Sequence, residues 1–325
     1  MLTQFLGQQN IKMDKINFFA KFLKPYMEYE ALTGFSENQL EQEIIDLEIK
    51  EGDTIANIGV NWGHSLQIII EKYPAIKHIY GVDSSIMMLE LTRIVFSEDG
   101  KFERKFINGL SQKAISFLKE LHEKAKYNSQ RITLIHSSAE ELHNQNLTVD
   151  KIAATMGFHW LEEPQTKAFL SMNKCLPLDG RITFSTASAR FDINNPEESF
   201  INNPYYRAFF EIFNKKYNKL STNINKPKET EIKKYNLDYV NWIINKSGFE
   251  LESHREHKIE INEDLIDDVC TAGIKFSHNI DYESPEIKRI IEETFDEIKS
   301  KYKYDEFPQR YESCPIFRVR KIREI

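Results

Sequence analysis

From Glu37 onward, short apolar runs alternate with longer stretches whose apolar residues recur every three or four positions. The pattern predicts a helix around Glu37 to Leu47, leading through a Glu51-Gly52-Asp53 turn into a strand over Thr54 to Val60. A helix from His64 to Lys72, a strand from His78 to Asp83 and a helix from Ser85 to Phe96 come next. Beyond an amphipathic helix near Leu110 to Lys126 lie strands over Arg131 to Ser137, Lys151 to Met156 and Arg181 to Thr186, the last preceded by a helix over Pro164 to Cys175. Five apolar strands separated by helices argue for a parallel, doubly wound α/β sheet.

The second half changes character. Ala189 to Thr230 is rich in Asn, Lys, Tyr and Phe, carries Pro196, Pro204 and Pro227, and lacks strand periodicity, so it predicts a helical insertion after the fifth strand. A helix from Leu237 to Lys246, a turn at Gly248 and a strand from Phe249 to His257 resume the sheet. A second helical insertion, Asn262 to Lys303, precedes a last strand around Ile316 to Lys321. Ahead of all this, Phe18, Phe19, Phe22 and Leu23 fall at helical spacing, which suggests an amphipathic helix that packs on the domain or closes over a site. The implied organisation is an N-terminal helical lid (1–36), a core (37–188), a helical cap insertion (189–235) and the remainder of the core (236–325) with the second insertion (262–303).

Composition narrows the partners. The chain has 325 residues, 41% hydrophobic and 12% aromatic, enough for one large core with an attached cap. With a net charge of −7 and no long basic tract, a nucleic acid is not the expected partner, and small-molecule chemistry is. Lysines and an aspartate break the N-terminal apolar run, so neither a signal peptide nor a membrane span is expected. Cys175, Cys270 and Cys314 are far apart and form no CxxC pair, so a reducing cytoplasm fits and no thiolate metal site is indicated. His254, His257 and His278 are too scattered in sequence to argue for a metal.

The chemistry concentrates where the first strand meets the next helix. Thr54-Ile55-Ala56-Asn57-Ile58-Gly59-Val60-Asn61-Trp62-Gly63-His64-Ser65 reads as strand, glycine-bearing turn and helix, and Ile79-Tyr80-Gly81-Val82-Asp83 as a second strand ending on an acid placed to hold a ribose. Together they form a half-site for a nucleoside cofactor.

Four segments make the chain resemble the class I S-adenosylmethionine-dependent methyltransferases, in particular the small-molecule group that includes trans-aconitate, juvenile-hormone-acid and malonyl-carrier-protein methyltransferases. The resemblance covers roughly Glu37 to Thr186 by motif and the rest by element order, and implies a Rossmann-like, mostly parallel sheet with cap insertions after the fifth and sixth strands. Asn57-Ile58-Gly59-Val60-Asn61-Trp62-Gly63 is similar to the acid-x-Gly-x-Gly-x-Gly loop of that family, with Gly59 and Gly63 matching, Asn57 replacing the acid and Asn61 the middle glycine. Asparagine tolerates positive φ, so Asn61 is expected to preserve the turn, while Asn57 can accept from the cofactor ammonium without the charge of an acid. Asp83, with Ser84 beside it, falls where the family's ribose-binding acid ends the second strand, or caps the following helix. In Ile135-His136-Ser137-Ser138-Ala139-Glu140, Ser138 stands where an acid commonly meets adenine, Ala139 is expected to offer its N–H, and Glu140 to start a helix.

The fourth segment, Ala154-Thr155-Met156-Gly157-Phe158-His159-Trp160-Leu161, is similar to the group's strand-end loop, with Met156 toward the cofactor. The later Leu176-Pro177-Leu178-Asp179-Gly180 resembles its proline-glycine turn. His159 is the candidate general base or substrate donor, or else positions the loop, and Trp160 is a packing or substrate residue. Tyr26, Tyr29, Arg190, Tyr205, Tyr206 and Arg207 are substrate candidates, since aromatic and arginine side chains suit a closed pocket for a planar or anionic molecule. The resemblance thus implies methyl transfer from S-adenosylmethionine to a carboxylate, phenol, amine or carbon of a small molecule, by a monomer or homodimer. The altered Asn57, Asn61 and Ser138 also admit a protein of this fold that binds a ligand or runs a non-methylating reaction, and strand–helix alternation alone admits an NAD-dependent dehydrogenase.

Overall fold

The computed structural model describes residues 27, 30, 31, 35–108, 110–155, 157, 158, 161, 164–186, 202–220, 235–278, 284–309 and 311–325. Within them the helices are α1 (Phe35–Asp46), α2 (His64–Lys72), α3 (Ile86–Val95), α4 (Arg104–Ile107), α5 (Gln112–Ala125), α6 (Thr166–Cys175), α7 (Pro204–Leu220), α8 (Leu237–Lys246), α9 (Glu263–His278) and α10 (Pro285–Lys299). The strands are β1 (Thr54–Ile58), β2 (His78–Asp83), β3 (Ile132–His136), β4 (Lys151–Ala154), β5 (Arg181–Ser185), β6 (Phe249–Glu260) and β7 (Tyr311–Lys321).

They form one seven-stranded sheet in the order β3-β2-β1-β4-β5-β7-β6, in which β1 to β5 are parallel and β7 is antiparallel to both neighbours. The sheet is the expected Rossmann-like, doubly wound one. Its central strands are apolar because helices cover both faces: Ile55 and Ile79 pack with α1, α2, α3 and α5 on one side, and Ile152, Ile182 and Phe184 with α6 and α8 on the other. Reversal of strand order about β1 brings the carboxyl ends of β1, β2, β3 and β4 together on one edge, the position where open α/β sheets bind ligands.

Strand ends differ from the sequence-based expectation in instructive ways. β1 stops at Ile58 instead of Val60, because Gly59 turns to φ +75° and Asn61 to φ +51°. β6 and β7 run longer than expected and pair from Phe249↔Lys321 to Glu260↔Tyr311, well beyond the last β5 partner, Ser185↔Ile316. That overhanging ribbon carries the cap. α7 lies between β5 and β6, and α9 and α10 between β6 and β7. Tyr205, Phe209 and Phe213 of α7 pack with Ile266 and Ile274 of α9 and Ile291 of α10 in a separate apolar cluster. Of the N-terminal segment, Met27 is buried in the main core; Phe18, Phe19, Phe22 and Leu23, which carry its expected helix, lie outside the described residues. No helix among the described residues is long and apolar enough to cross a membrane.

The reversed β7 is locked by a lysine. Lys321 is 1% exposed, and its ammonium donates to the carbonyls of Asn173 (2.8 Å) and Leu176 (2.6 Å) while pairing with Glu324 (2.8 Å). It thereby satisfies orphan carbonyls at the C-terminus of α6, where the helix dipole favours a cation. Lys321→Met removes three hydrogen-bond donors and takes from the Leu176 carbonyl its lysine donor, while the Asn173 carbonyl keeps the Leu176 N–H at 3.2 Å. The expected result is a loss of about 2–4 kcal/mol in urea unfolding, with the length of the aliphatic stem retained and the fold preserved.

Candidate functional site

The turn after β1 is held by backbone and side chain alike. The N–H groups of Gly59 and Val60 donate to the Val82 carbonyl at 2.7 and 3.3 Å, which continues β1–β2 pairing one step past the sheet. Asn61 adopts φ +51°, as expected from asparagine's tolerance of that region, and its N–H donates to Asp83 Oδ2 (3.2 Å) while its carbonyl accepts from Thr92 Oγ1 (2.8 Å). Gly63 follows at φ +91° and opens α2 with no side-chain cap. A Cβ on Gly63 would lie 2.8 Å from Phe96 Cε2, so glycine here allows α2 to pack against α3.

Asp83 ends β2 as predicted. Its Oδ1 accepts from the Ser85 N–H (2.8 Å) and its Oδ2 from Asn61, so the carboxylate ties both flanking turns together and each oxygen retains a lone pair. Capping and ligand binding are therefore compatible at this position, while the cap of α3 itself is Ser85, whose hydroxyl accepts from the Met88 N–H. Burial pushes the Asp83 carboxyl up to about 6, against the lowering effects of the Ser85 and Asn61 amides and of nearby His136.

Asn57 is the last residue but one of β1 and is 0% exposed. Its Oδ1 accepts from Ser65 Oγ (2.6 Å), one residue into α2, and its Nδ2 has no hydrogen-bond partner among the described residues. Ser65 and Thr92 were not singled out from sequence. The available signal was polar residues set against apolar helix faces, Ser65 ahead of Leu66 and Ile68 and Thr92 between Leu91 and Val95. Beside Ser65, His64 packs edge-on to Phe117 at 5.3 Å. Burial, then nearby Lys124, lowers its imidazole to about 4, with Glu120 opposing, so the ring is neutral at pH 7.

The third predicted segment adjoins Asp83. The Ser137 N–H donates to the Asp83 carbonyl (3.1 Å), Ser138 precedes a 3-10 helix over Ala139–Gln145, and Ala139 is buried. Glu140 falls in the first turn of that helix, as expected. Ser84 is exposed, and its carbonyl lies 3.0 Å from His136 Nε2. Tyr205 and Tyr206 stand in the cap cluster: Tyr205 Oη donates to Asp267 (3.0 Å), and Tyr206 packs on Phe210 at 4.9 Å. Arg207 is exposed on α7. The candidate residues Tyr26, Tyr29, Met156, His159, Trp160 and Arg190 lie outside the described residues. His254 stacks on Phe317 and His257 bonds Asn38, and among the described residues no group of three His, Cys, Asp or Glu is disposed to hold a metal ion.

These residues fit a nucleoside cofactor on three counts. A Cβ on Gly59 would meet nothing within 4 Å, so that backbone is open to close approach. Asp83 offers a buried carboxylate with spare lone pairs, and Asn57 an unpartnered buried nitrogen.

No family model matches the chain, and no curated protein matches it. Solved structures do. Phosphoethanolamine N-methyltransferase 2 of Haemonchus contortus, in complex with S-adenosyl-L-methionine, is 14% identical with a TM-score of 0.51, covering 98% of this chain and 62% of that one. The fold is the Rossmann-like methyltransferase fold. The same Haemonchus enzyme with phosphomonomethylethanolamine and S-adenosylhomocysteine gives 13% and 0.49 over 95% and 59%. The YcgJ protein of Bacillus subtilis gives 13% and 0.46 over 88% and 99%. At such identities the methyltransferase fold is what is shared.

Proposed function

We propose that the chain is an S-adenosylmethionine-dependent methyltransferase acting on a small-molecule acceptor. The observation that carries this is the tether between Asn61 and Asp83, which sets a positive-φ turn and a buried carboxylate side by side at the carboxyl edge of the sheet. When the cofactor is bound, Asp83 would hold the two ribose hydroxyls, Gly59 would let the backbone approach, and Ser138 and Ala139, just past the end of β3, would meet the base. S-adenosylmethionine, when bound, supplies a methyl group already activated by the sulfonium charge. The chain's own task is then to orient the partners and exclude water, and a carboxylate acceptor needs no base at neutral pH. Acceptors are small carboxylates, phenols, amines or activated carbons.

A second reading, a protein of this fold that binds the cofactor without methylating, is favoured by the carboxamide of Asn57 in place of an acid. Incubation with S-adenosylmethionine and a panel of those four acceptor classes, read as release of S-adenosylhomocysteine, separates the two. Acceptor-dependent release supports methyl transfer. Tight cofactor binding with no release across the panel leaves the second reading.

A further inference from the structure

The cap is rooted at one end of the sheet and touches down at the other. Pro315 marks the root. Its carbonyl accepts from the Thr186 N–H (3.4 Å), but proline has no N–H to return, and pairing of β5 with β7 ends at Ser185↔Ile316. Beyond that point, among the described residues, β6 and β7 pair with each other alone, from Glu256↔Pro315 to Glu260↔Tyr311. His257 Nε2, 2.9 Å from Asn38 Oδ1 of α1, steadies the lower part of this ribbon. Two strands without a third are marginal on their own and bend and twist more readily than a full sheet. Past the ribbon, α7, α9 and α10 bury their apolar faces against one another, so the cap has its own core, separate from those of the sheet. At its far side Asp268 of α9 meets Lys113 in the first turn of α5, with Nζ 3.0 Å from Oδ2. α5 belongs to the other end of the sheet, where its Leu118 and Leu121 share a core with Ile55 of β1 and Ile79 of β2. The two side chains are 54% and 35% exposed, and such a pair shifts an equilibrium by about fivefold at most, less at high salt.

We propose that the cap is a hinged lid over the carboxyl edge of the sheet, bending in the two-stranded ribbon beyond Pro315 and caught at its far side by the ion pair of Lys113 with Asp268. The ribbon supplies the bend, the separate core lets the cap move as a unit, and the exposed pair is a catch weak enough to release. Access to the carboxyl edge depends on this lid whichever ligand the edge takes, so the proposal stands apart from the cofactor reading above.

The test is electron–electron double resonance on the full, ligand-free chain, between nitroxide labels on Lys119→Cys of α5 and Glu292→Cys of α10, both exposed positions. Cys175, Cys270 and Cys314 are buried and stay unlabelled. At low salt one main separation is expected, that of the closed cap. Raising the salt to about 1 M is expected to increase the share of a longer separation by about twofold to about fivefold, since screening removes an exposed pair. Asp268→Lys, which sets two ammonium groups against each other, is expected to increase it by about fivefold or more. Lys113→Asp combined with Asp268→Lys restores the attraction with its ends exchanged, and is expected to bring the short separation back. A distribution that neither salt nor Asp268→Lys moves overturns the proposal. So does a longer separation that the exchanged pair fails to reverse, because the attraction between these two residues would then not be what holds the cap.

Discussion

Affinity for S-adenosylhomocysteine is expected to fall by up to about tenfold for each pH unit below about 6 and to level off above it, because Asp83 must be charged to accept from a ribose. Burial holds the free carboxyl up near 6, and two hydroxyl donors of a bound nucleoside would lower it. The ligand thus binds the deprotonated form, and affinity is lost as pH drops through the free-state value. Asp83→Asn removes the charge and with it the pH dependence, leaving weak binding at every pH. Calorimetry from pH 5 to pH 8 measures both.

The same group acts on stability in the opposite sense. Asp83 costs nothing where its carboxyl is protonated in folded and unfolded chains alike, below its ordinary 3.8, and that stability is lost as pH rises through about 6. His64, held down to about 4, contributes fully above its ordinary 6.5, and this is lost as pH falls through about 4. Between about 4 and about 6 the two slopes oppose. Relative to wild type, Asp83→Asn gains urea stability as pH rises across that window and His64→Gln loses it.

The two glycines of the turn are expected to separate stability from binding. Gly63→Ala places a methyl group 2.8 Å from Phe96 and 3.1 Å from Thr92 Cγ2, at φ +91°, so backbone strain and steric overlap add. A loss of about 2–5 kcal/mol follows, seen as a lower urea midpoint with unchanged slope. Gly59→Ala meets no atom within 4 Å and carries only the strain of φ +75°, about 1–2 kcal/mol. Its methyl group points into the open side of the turn, so its main effect is on ligand affinity, about tenfold or more. If Gly59→Ala bound S-adenosylhomocysteine as well as wild type does, the ligand would not approach that backbone.

Elements bounded by strong local punctuation were legible in the sequence. The ends of α2 fall between Gly63 and the Tyr73-Pro74 pair, those of α8 between Asn236 and Gly248, and β2 ends on Asp83, all as expected. The positive φ of Asn61 was also legible, because few other residues adopt it at low cost. β6 was shortened in prediction because Glu250 to Glu260 is polar on both faces; its far half is fixed by pairing with β7, a contact between distant segments. Register with a distant strand leaves no local period to read. The partnership of Asn57 with Ser65 escaped for a related reason, since it depends on how α2 is seated against β1.

The most direct measurement is titration of the wild-type chain and Asp83→Ala with S-adenosylhomocysteine and with NAD. Micromolar binding of S-adenosylhomocysteine to wild type, weakened about 100-fold or more in Asp83→Ala with the fold intact by circular dichroism, and no binding of NAD, is the predicted result. Binding that Asp83→Ala leaves unchanged, or a preference for NAD, would contradict it.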